Sequence, residues 1–249
     1  MKKNVRKIFE SLAAVFLLFG IWEGSSLLLQ KNMLPTPFTV FQEIPVLFAK
    51  DGITAHLQAS FYRVSLGLLF SVLGGFILGL AMGRLKKISA FSDALIYLTY
   101  PIPKMALLPI VMLLGGLGNI SKIIMIMLIV LPQVTIAVRD AVRNIPQNYY
   151  DIYQTLQAKK PTIFLAVTLP SSLPAVFSSL RVSLGTALSI LFFTENYGTE
   201  YGMGYFIMDA WTRMDYPAMY GGILILATCG FLLFLLIDLC NHLLFKWQN

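Results

Sequence analysis

The chain has 249 residues, of which 57% are hydrophobic and 12% are charged. Soluble domains carry about 25% charged residues, so this composition excludes an ordinary soluble enzyme. It predicts an all-α, multi-span membrane protein with one domain over residues 1–249. The net charge of +7 would suggest a nucleic-acid partner in a soluble protein, but we expect none here, because membrane proteins retain basic residues on the cytoplasmic side.

The first elements in chain order are a span and a short helix at the membrane surface. The apolar run Ile8–Leu29 is too long for the core of a signal peptide and lacks a small-residue cleavage site after it, so we expect a retained span. A proline-marked linker follows at Lys31–Val40, and Phe38–Lys50 is predicted to lie along the interface as a helix.

The second span is predicted from His56 to Gly83. Gly75, Gly79 and Gly83 recur every fourth residue, which places them on one helix face where another helix backbone can approach closely. These three glycines are the predicted helix-packing surface. Arg63 lies inside this span and either snorkels to the interface or pairs within the bundle.

The third span begins near Ser89 and is interrupted by Pro101 and Pro103. Two prolines this close must break a helix, and a broken helix at membrane depth is tolerated only where it is buried in protein or lines a cavity. We therefore predict that the break lies on a translocation pathway formed by Pro101, Pro103, Lys104 and Met105. Lys104 has a second interpretation, a lysine that snorkels to the interface.

Three further spans complete the predicted topology of about six. They cover Ile120–Val138, Leu173–Phe193 and Tyr216–Phe245. The segment from Tyr197 to Arg213 is predicted to be an outside loop whose short helix dips back towards the bundle.

The fifth span ends in Glu195, Asn196 and Tyr197, which we predict as further pathway residues. Glu195 has an equally good structural interpretation, a carboxylate that pairs with Arg63 or Arg181.

The longest stretch without the character of a span is Asp151–Pro170. Pro146 is a helix-start signal, so we predict one short helix from Pro146 to Ala158. Lys159, Lys160 and Pro161 are predicted to break it, and Thr162–Leu169 to form a second helix.

The distribution of basic residues predicts the orientation. With six spans, twelve of the nineteen lysines and arginines fall on the side that carries both termini and the Asp151–Pro170 stretch. Four fall on the other side, namely Lys31, Lys50, Lys122 and Arg213. This bias predicts a multi-pass cell-membrane protein with both termini in the cytoplasm.

No pattern in the sequence indicates catalysis. The two histidines, His56 and His242, stand near opposite ends of the chain, without HExxH, CxxC, P-loop or G-x-S-x-G patterns. We therefore expect no catalytic residue, metal site or cofactor in this chain. Transport remains, and a stand-alone channel or secondary carrier is one form of it, although a ladder of mid-membrane carboxylates is absent from the sequence.

The stretch between spans four and five resembles the cytoplasmic loop of ABC importer permeases. That loop has the pattern EAA, three residues, Gly, nine residues, then I-x-L-P. Asp151-Ile152-Tyr153 stands at EAA, Gln157 at the glycine and Val167–Pro170 at I-x-L-P, with all spacings kept. Since Gln157 replaces the glycine of a tight turn, we expect the helix to continue through this position.

Other segments extend the resemblance over nearly the whole chain, to the branch of these permeases that serves nitrate, taurine, aliphatic sulfonates and some vitamin or pyrimidine precursors. In order, they are Leu34–Pro37, Ser60–Gly67, Tyr100–Gly118, Leu180–Gly185, and Glu195 followed by Gly202–Tyr205.

The resemblance implies the type I importer permease fold, with a core at 56–245 and a coupling loop at 146–171. It implies a homodimer of permeases, two cytoplasmic ATPase subunits that hold ATP and Mg, and an extracytoplasmic binding protein. The implied ATPase-coupling residues are Asp151, Ile152, Tyr153, Leu156, Gln157, Ala158, Lys159, Lys160, Leu169 and Pro170.

Overall fold

The computed structural model describes residues 2–29, 33–49, 52–99 and 101–245, and the regular elements within these ranges are all helical. Three residues named above, Lys31, Lys50 and Tyr100, lie outside them. The α-helices are α1 (Lys2–Leu29), α2 (Pro37–Ala49), α3 (Ile53–Arg84), α4 (Lys86–Thr99), α5 (Leu108–Gly115), α6 (Asn119–Arg143), α7 (Gln147–Thr155), α8 (Lys160–Ile163), α9 (Leu169–Glu195), α10 (Met203–Thr212) and α11 (Tyr216–Leu244).

Four helical segments in the described ranges are long and apolar enough to cross a membrane: α3, α6, the continuous stretch Lys160–Glu195, and α11. The bent pair Lys87–Thr99 and Lys104–Gly115, whose axes differ by 86°, meets the same criteria when taken together and counts as a fifth span if it is one broken helix. In α1, the apolar part Ala13–Leu29 is shorter than these. The prediction of an all-α membrane protein is therefore confirmed. The helix is interrupted at 101–103, as the prolines predicted, and the predicted total of six spans depends on this bent pair and on α1.

The core of the bundle is the contact between α3 and α6. A Cβ atom added to Gly79 would lie 2.6 Å from the Cβ of Val138 and 2.7 Å from the carbonyl oxygen of Thr135. The same holds one turn before and one turn after, where Gly75 and Gly83 face Val134 and Val142, respectively. The valines of α6 thus fill a groove that the glycines leave along α3, and the two helices run parallel.

A second core joins α2, α10 and α11 at one end of the bundle. Leu47 of α2 is fully buried there, and a Cβ atom added to Gly221 of α11 would lie 2.8 Å from its Cδ1. On the other side of α2, Phe38 and Phe41 are exposed. The helix expected at the interface therefore has one face packed on α11 and one aromatic face directed outward.

The α3–α6 contact predicts that Gly79→Ala destabilises the fold. The added methyl group meets a backbone oxygen and a β-branched side chain, so overpacking should outweigh the better helix propensity of alanine by about 1–2 kcal/mol. Thermal unfolding of the detergent-solubilised protein measures this loss.

The matched control is Gly24→Ala, because no heavy atom lies within 4 Å of a Cβ at Gly24. Equal unfolding temperatures for the two variants would contradict the close packing of α3 on α6.

Candidate functional site

Helix α7 lies at the end of the bundle where α3 and α6 finish, which we call the α7 end; the other we call the far end. Pro146 precedes the helix, as predicted, but α7 ends at Thr155 rather than Ala158. The expectation that the helix continues through Gln157 is wrong, since Gln157 adopts a left-handed conformation with φ of 53°. The chain thus makes a tight turn without the glycine.

Two backbone hydrogen bonds explain this turn. The Ala158 N–H donates to the Tyr153 carbonyl at 3.0 Å, and the Gln157 N–H donates to the Gln154 carbonyl at 2.9 Å. Together they form a Schellman motif, which satisfies the last carbonyls of the helix. They hold a non-glycine residue in a conformation that costs roughly 1–2 kcal/mol.

The predicted break at Lys159–Pro161 is also displaced. The chain turns at 156–159, and Lys160 already begins the next helix, with Pro161 in its first turn, where a missing N–H costs nothing. Thr162–Leu169 is therefore no separate helix. It belongs to one continuous segment that runs through α8 and a π-helical turn at Phe164–Thr168 into α9, so the fifth span begins well before Leu173.

Helix α7 presents an apolar stripe to solvent. Tyr149, Ile152 and Leu156 expose 54%, 57% and 72% of their surfaces, and their spacing of three and four residues places them on one face. Tyr150 and Tyr153 are half-buried on the bundle side. An exposed apolar stripe on an otherwise polar helix is typical of a protein-binding surface.

A polar cleft of about 400 Å³ lies between α7 and the ends of α3 and α6. Beside it, Asp93 of α4 pairs with Arg139 and with Arg143, whose Nη2 lies 2.7 Å from Asp93 Oδ2. This ion-pair cluster joins α4 to α6 at the α7 end. The residues around the cleft are Gly83, Arg84, Val142, Arg143, Ile145, Gln147, Tyr150 and Gln154.

At the far end, Arg63 and Glu195 form a buried ion pair, with Arg63 Nη1 2.7 Å from Glu195 Oε1. Glu195 also accepts hydrogen bonds from Ser60 Oγ at 2.8 Å and from the Gly204 N–H at 2.9 Å. Of the open alternatives, Arg63 therefore pairs within the bundle, and Glu195 pairs with Arg63; Arg181 pairs with Asp238 instead.

The remaining donors of Arg63 reach three other residues in two segments. Nε donates to Asn119 Oδ1 at 2.8 Å, Nη1 to the Tyr201 carbonyl at 2.7 Å, and Nη2 to Thr199 Oγ1 at 3.1 Å. One side chain of α3 thus binds the start of α6 and the loop that follows α9. Gly202 is required beside it, because a Cβ there would lie 2.4 Å from the Glu195 carboxyl carbon.

Lys122 is a second buried cation near this ion pair. It lies near the start of α6, at the far end of the bundle, and is fully buried. Its Nζ donates to the Leu117 carbonyl at 2.5 Å and to the Tyr197 carbonyl at 2.8 Å. The ammonium group therefore ties the loop before α6 to the loop after α9.

The two tied loops border a cavity of about 890 Å³. Of the predicted pathway residues, Met105 and Tyr197 line it. Pro101, Pro103 and Lys104 precede the lining segment in the chain, Glu195 is enclosed in its ion pair, and Asn196 is half-buried. The lining residues are Met105, Ala106, Leu108, Pro109, Met112, Leu113, Leu117, Phe193 and Tyr197.

Sequence reasoning missed Ser60, Asn119, Lys122 and Thr199 as members of the far-end cluster. One signal was available, since Ser60 and Arg63 are three residues apart and therefore share a helix face. The other three residues reach Arg63 or its neighbours only through tertiary contacts, for which the sequence carries no local pattern.

Comparison with known proteins places the chain among membrane components of transport systems. The family profile described as "Binding-protein-dependent transport system inner membrane component" matches residues 71–247. A "Probable ABC transporter permease protein" of Haemophilus influenzae is 31% identical, with 95% of this chain and 96% of the relative covered. The "Taurine transport system permease protein" of Escherichia coli is 28% identical, covering 98% of this chain and 91% of the relative. The "Formylaminopyrimidine transport permease protein" of Halalkalibacterium halodurans is 27% identical, covering 100% and 99%, respectively.

The turn after α7 predicts opposite effects of one substitution at two nearby positions. Gln157→Gly should stabilise the turn by up to about 1 kcal/mol because glycine adopts a left-handed φ without strain. Gln154→Gly, inside the helix, should destabilise it by about 1 kcal/mol. Tryptic cleavage after Lys159 should therefore slow down in the first variant and accelerate in the second. The same direction of change in both would contradict the left-handed turn.

The ion pair predicts that Glu195→Gln destabilises the bundle by about 3 kcal/mol, because it leaves Arg63 buried without a counter-charge. Glu200→Gln is the control, since Glu200 is exposed in the same loop. Thermal unfolding checks both, and Arg63→Gln combined with Glu195→Gln should cost less than the two single losses added. A Glu195→Gln variant of normal stability but without transport would instead assign the carboxylate to the solute.

Proposed function

The chain belongs to the family of binding-protein-dependent transport system inner membrane components, and on this basis we propose that it forms the translocation pathway of an ATP-driven importer. It is a multi-pass permease subunit. In this proposal, an extracytoplasmic binding protein delivers the solute, and separate ATPase subunits hold ATP and Mg and carry out hydrolysis. The chain itself contributes no catalytic residue.

The observation that supports the ATPase partner is the apolar stripe of α7. Burying Tyr149, Ile152 and Leu156 in a cleft of a soluble subunit would remove three large, water-exposed side chains from solvent. The helix is also short and bounded by tight turns, so a bound partner would move it as a rigid body.

The α7 end is proposed to be cytoplasmic. The positive-inside rule assigns basic loops and basic span ends to that side. The α7 end carries seven basic residues, in the ends of helices and in the turn after α7. These are Arg84, Lys86, Lys87, Arg139, Arg143, Lys159 and Lys160.

The pore is proposed to form between two copies of the chain. The cavity beside α5 is open on one side, where Leu113 and Leu114 expose 85% and 86% of their surfaces. A second copy placed against this face would enclose the cavity and cover both leucines.

The proposed solute is a small anion of the sulfonate, taurine or nitrate type, or a pyrimidine or vitamin precursor. The relatives named for taurine and for formylaminopyrimidine support both classes. The cavity lining has no charged side chain among the described residues, so we expect the binding protein to supply most of the selectivity.

The stripe is tested by placing a charge on it. We expect Ile152→Asp and Leu156→Asp to reduce the vanadate-sensitive ATPase activity that co-purifies with the tagged chain by tenfold or more, because each would bury a carboxylate in an apolar contact. Gln154→Glu, on the opposite face of the same helix, adds the same charge and should leave the activity unchanged. Full co-purification with both stripe variants would contradict the proposal.

A stand-alone channel or carrier is the second candidate, favoured by the 86° bend of the third span. Proteoliposomes that contain this chain alone distinguish the two. Taurine uptake without an ATPase would support the carrier, whereas uptake that requires ATPase subunits and ATP would support the importer.

A further inference from the structure

We propose that Tyr150 is a positioning residue that transmits the movement of α7 to the fifth span through Thr168. This inference rests on the proposed function, because it concerns how a displacement imposed on α7 by an ATPase reaches the pathway. Two structural features would transmit this displacement, namely one interhelical hydrogen bond and a π-helical turn.

The hydrogen bond joins the Tyr150 and Thr168 hydroxyl groups at 3.2 Å. Thr168 is fully buried, and Tyr150 is half-buried on the bundle side of α7. No residue of α7 is fully buried, and the polar cleft lies between α7 and the ends of α3 and α6. A helix attached this loosely needs specific contacts to pass a displacement on, and the Tyr150–Thr168 bond is directed at the fifth span.

Thr168 is the last residue of the π-helical turn Phe164–Thr168. In this turn the Leu169 N–H donates to the Phe164 carbonyl, five residues back. Short π-helical turns are rare and are often found at functional sites. Pro170 and Pro174 follow and lack N–H donors, so this part of the fifth span has fewer internal hydrogen bonds than an unbroken helix and can bend at lower cost.

The two ends of the π-helical turn are held by different elements. At its start, the Arg84 guanidinium of α3 lies 5.6 Å from the centroid of the Phe164 ring. At its end, Thr168 is bonded to α7. A shift of α7 relative to α3 therefore acts on the two ends of the turn differently and changes the angle at which α9 leaves it.

Helix α9 carries that change to the cavity. Its 27 residues span about 40 Å at 1.5 Å per residue. Its far end bears Glu195, followed by Tyr197 at the cavity wall. The Arg63–Glu195 ion pair fixes this far end to α3, so a small rotation at Thr168 is expected to displace the middle of α9, between these two points, relative to α3.

Four single substitutions test this contact. Tyr150→Phe and Thr168→Val each remove one hydroxyl group and keep the shape of the side chain. Thr168→Ser keeps the hydroxyl. Thr155→Val is the matched control, because Thr155 is exposed on α7 outside the apolar stripe and its hydroxyl group donates within the same helix, to the Asp151 carbonyl at 2.9 Å.

The readout is the distance between spin labels at Leu69→Cys on α3 and Val182→Cys on α9, with Cys229 and Cys240 replaced by alanine. It is measured in the purified complex before and after trapping with ATP and vanadate. We expect Tyr150→Phe and Thr168→Val to lower the equilibrium constant for the ATP-driven distance change about fivefold, the worth of one hydrogen bond. Co-purification of the ATPase should stay unchanged.

Thr168→Ser and Thr155→Val should behave as the unsubstituted chain, and Tyr150→Phe combined with Thr168→Val should lose no more than either alone. An unchanged response in both Tyr150→Phe and Thr168→Val would overturn the inference, as would an equal loss in Thr155→Val. Should Tyr150→Phe fail to fold, the comparison of Thr168→Val with Thr168→Ser gives the answer. Absence of co-purifying ATPase from the unsubstituted chain would overturn the proposed function instead.

Discussion

The close approach of α3 and α6 is the constraint on which the rest of the molecule depends. Because Gly75, Gly79 and Gly83 carry no side chains, the valine ridge of α6 lies directly on the α3 backbone. This contact brings Arg63, on α3, within reach of Asn119 at the start of α6. It also sets the position of Arg84, on the same helix, over the Phe164 ring. Both polar clusters are therefore placed by apolar packing between them.

The two ends of the bundle serve different purposes. At the far end, a buried carboxylate and a buried guanidinium neutralise each other among backbone donors and acceptors, which makes the rim of the cavity rigid. At the α7 end, the ion pairs are more exposed and no residue of α7 is fully buried, which suits the partner-binding role proposed for α7. The fifth span connects these two ends. A change of angle at its π-helical turn would therefore change the direction of α9, which follows it.

Much of this organisation follows from local sequence patterns. The glycine spacing indicated the packing face, Pro101 and Pro103 the broken span, and Pro146 the start of α7. The errors have one physical origin, which is that tertiary or backbone contacts overrode local preference. Gln157 is left-handed because two backbone hydrogen bonds require it. The burial of Lys122, which no local pattern indicates, likewise depends on two loop carbonyls that meet at its ammonium group.

The matched repeat of glycines and valines also limits how the bundle can change shape. Every groove on α3 is followed by an equivalent groove four residues later, a step of about 6 Å along the axis. Any smaller slide would drive valine methyl groups into the α3 backbone. Helices α3 and α6 therefore form a fixed frame, because one helix can shift along the other only by a full repeat of this length. A change in the shape of the cavity would therefore involve the elements around that frame, namely the bent segment of α4 and α5 and the fifth span.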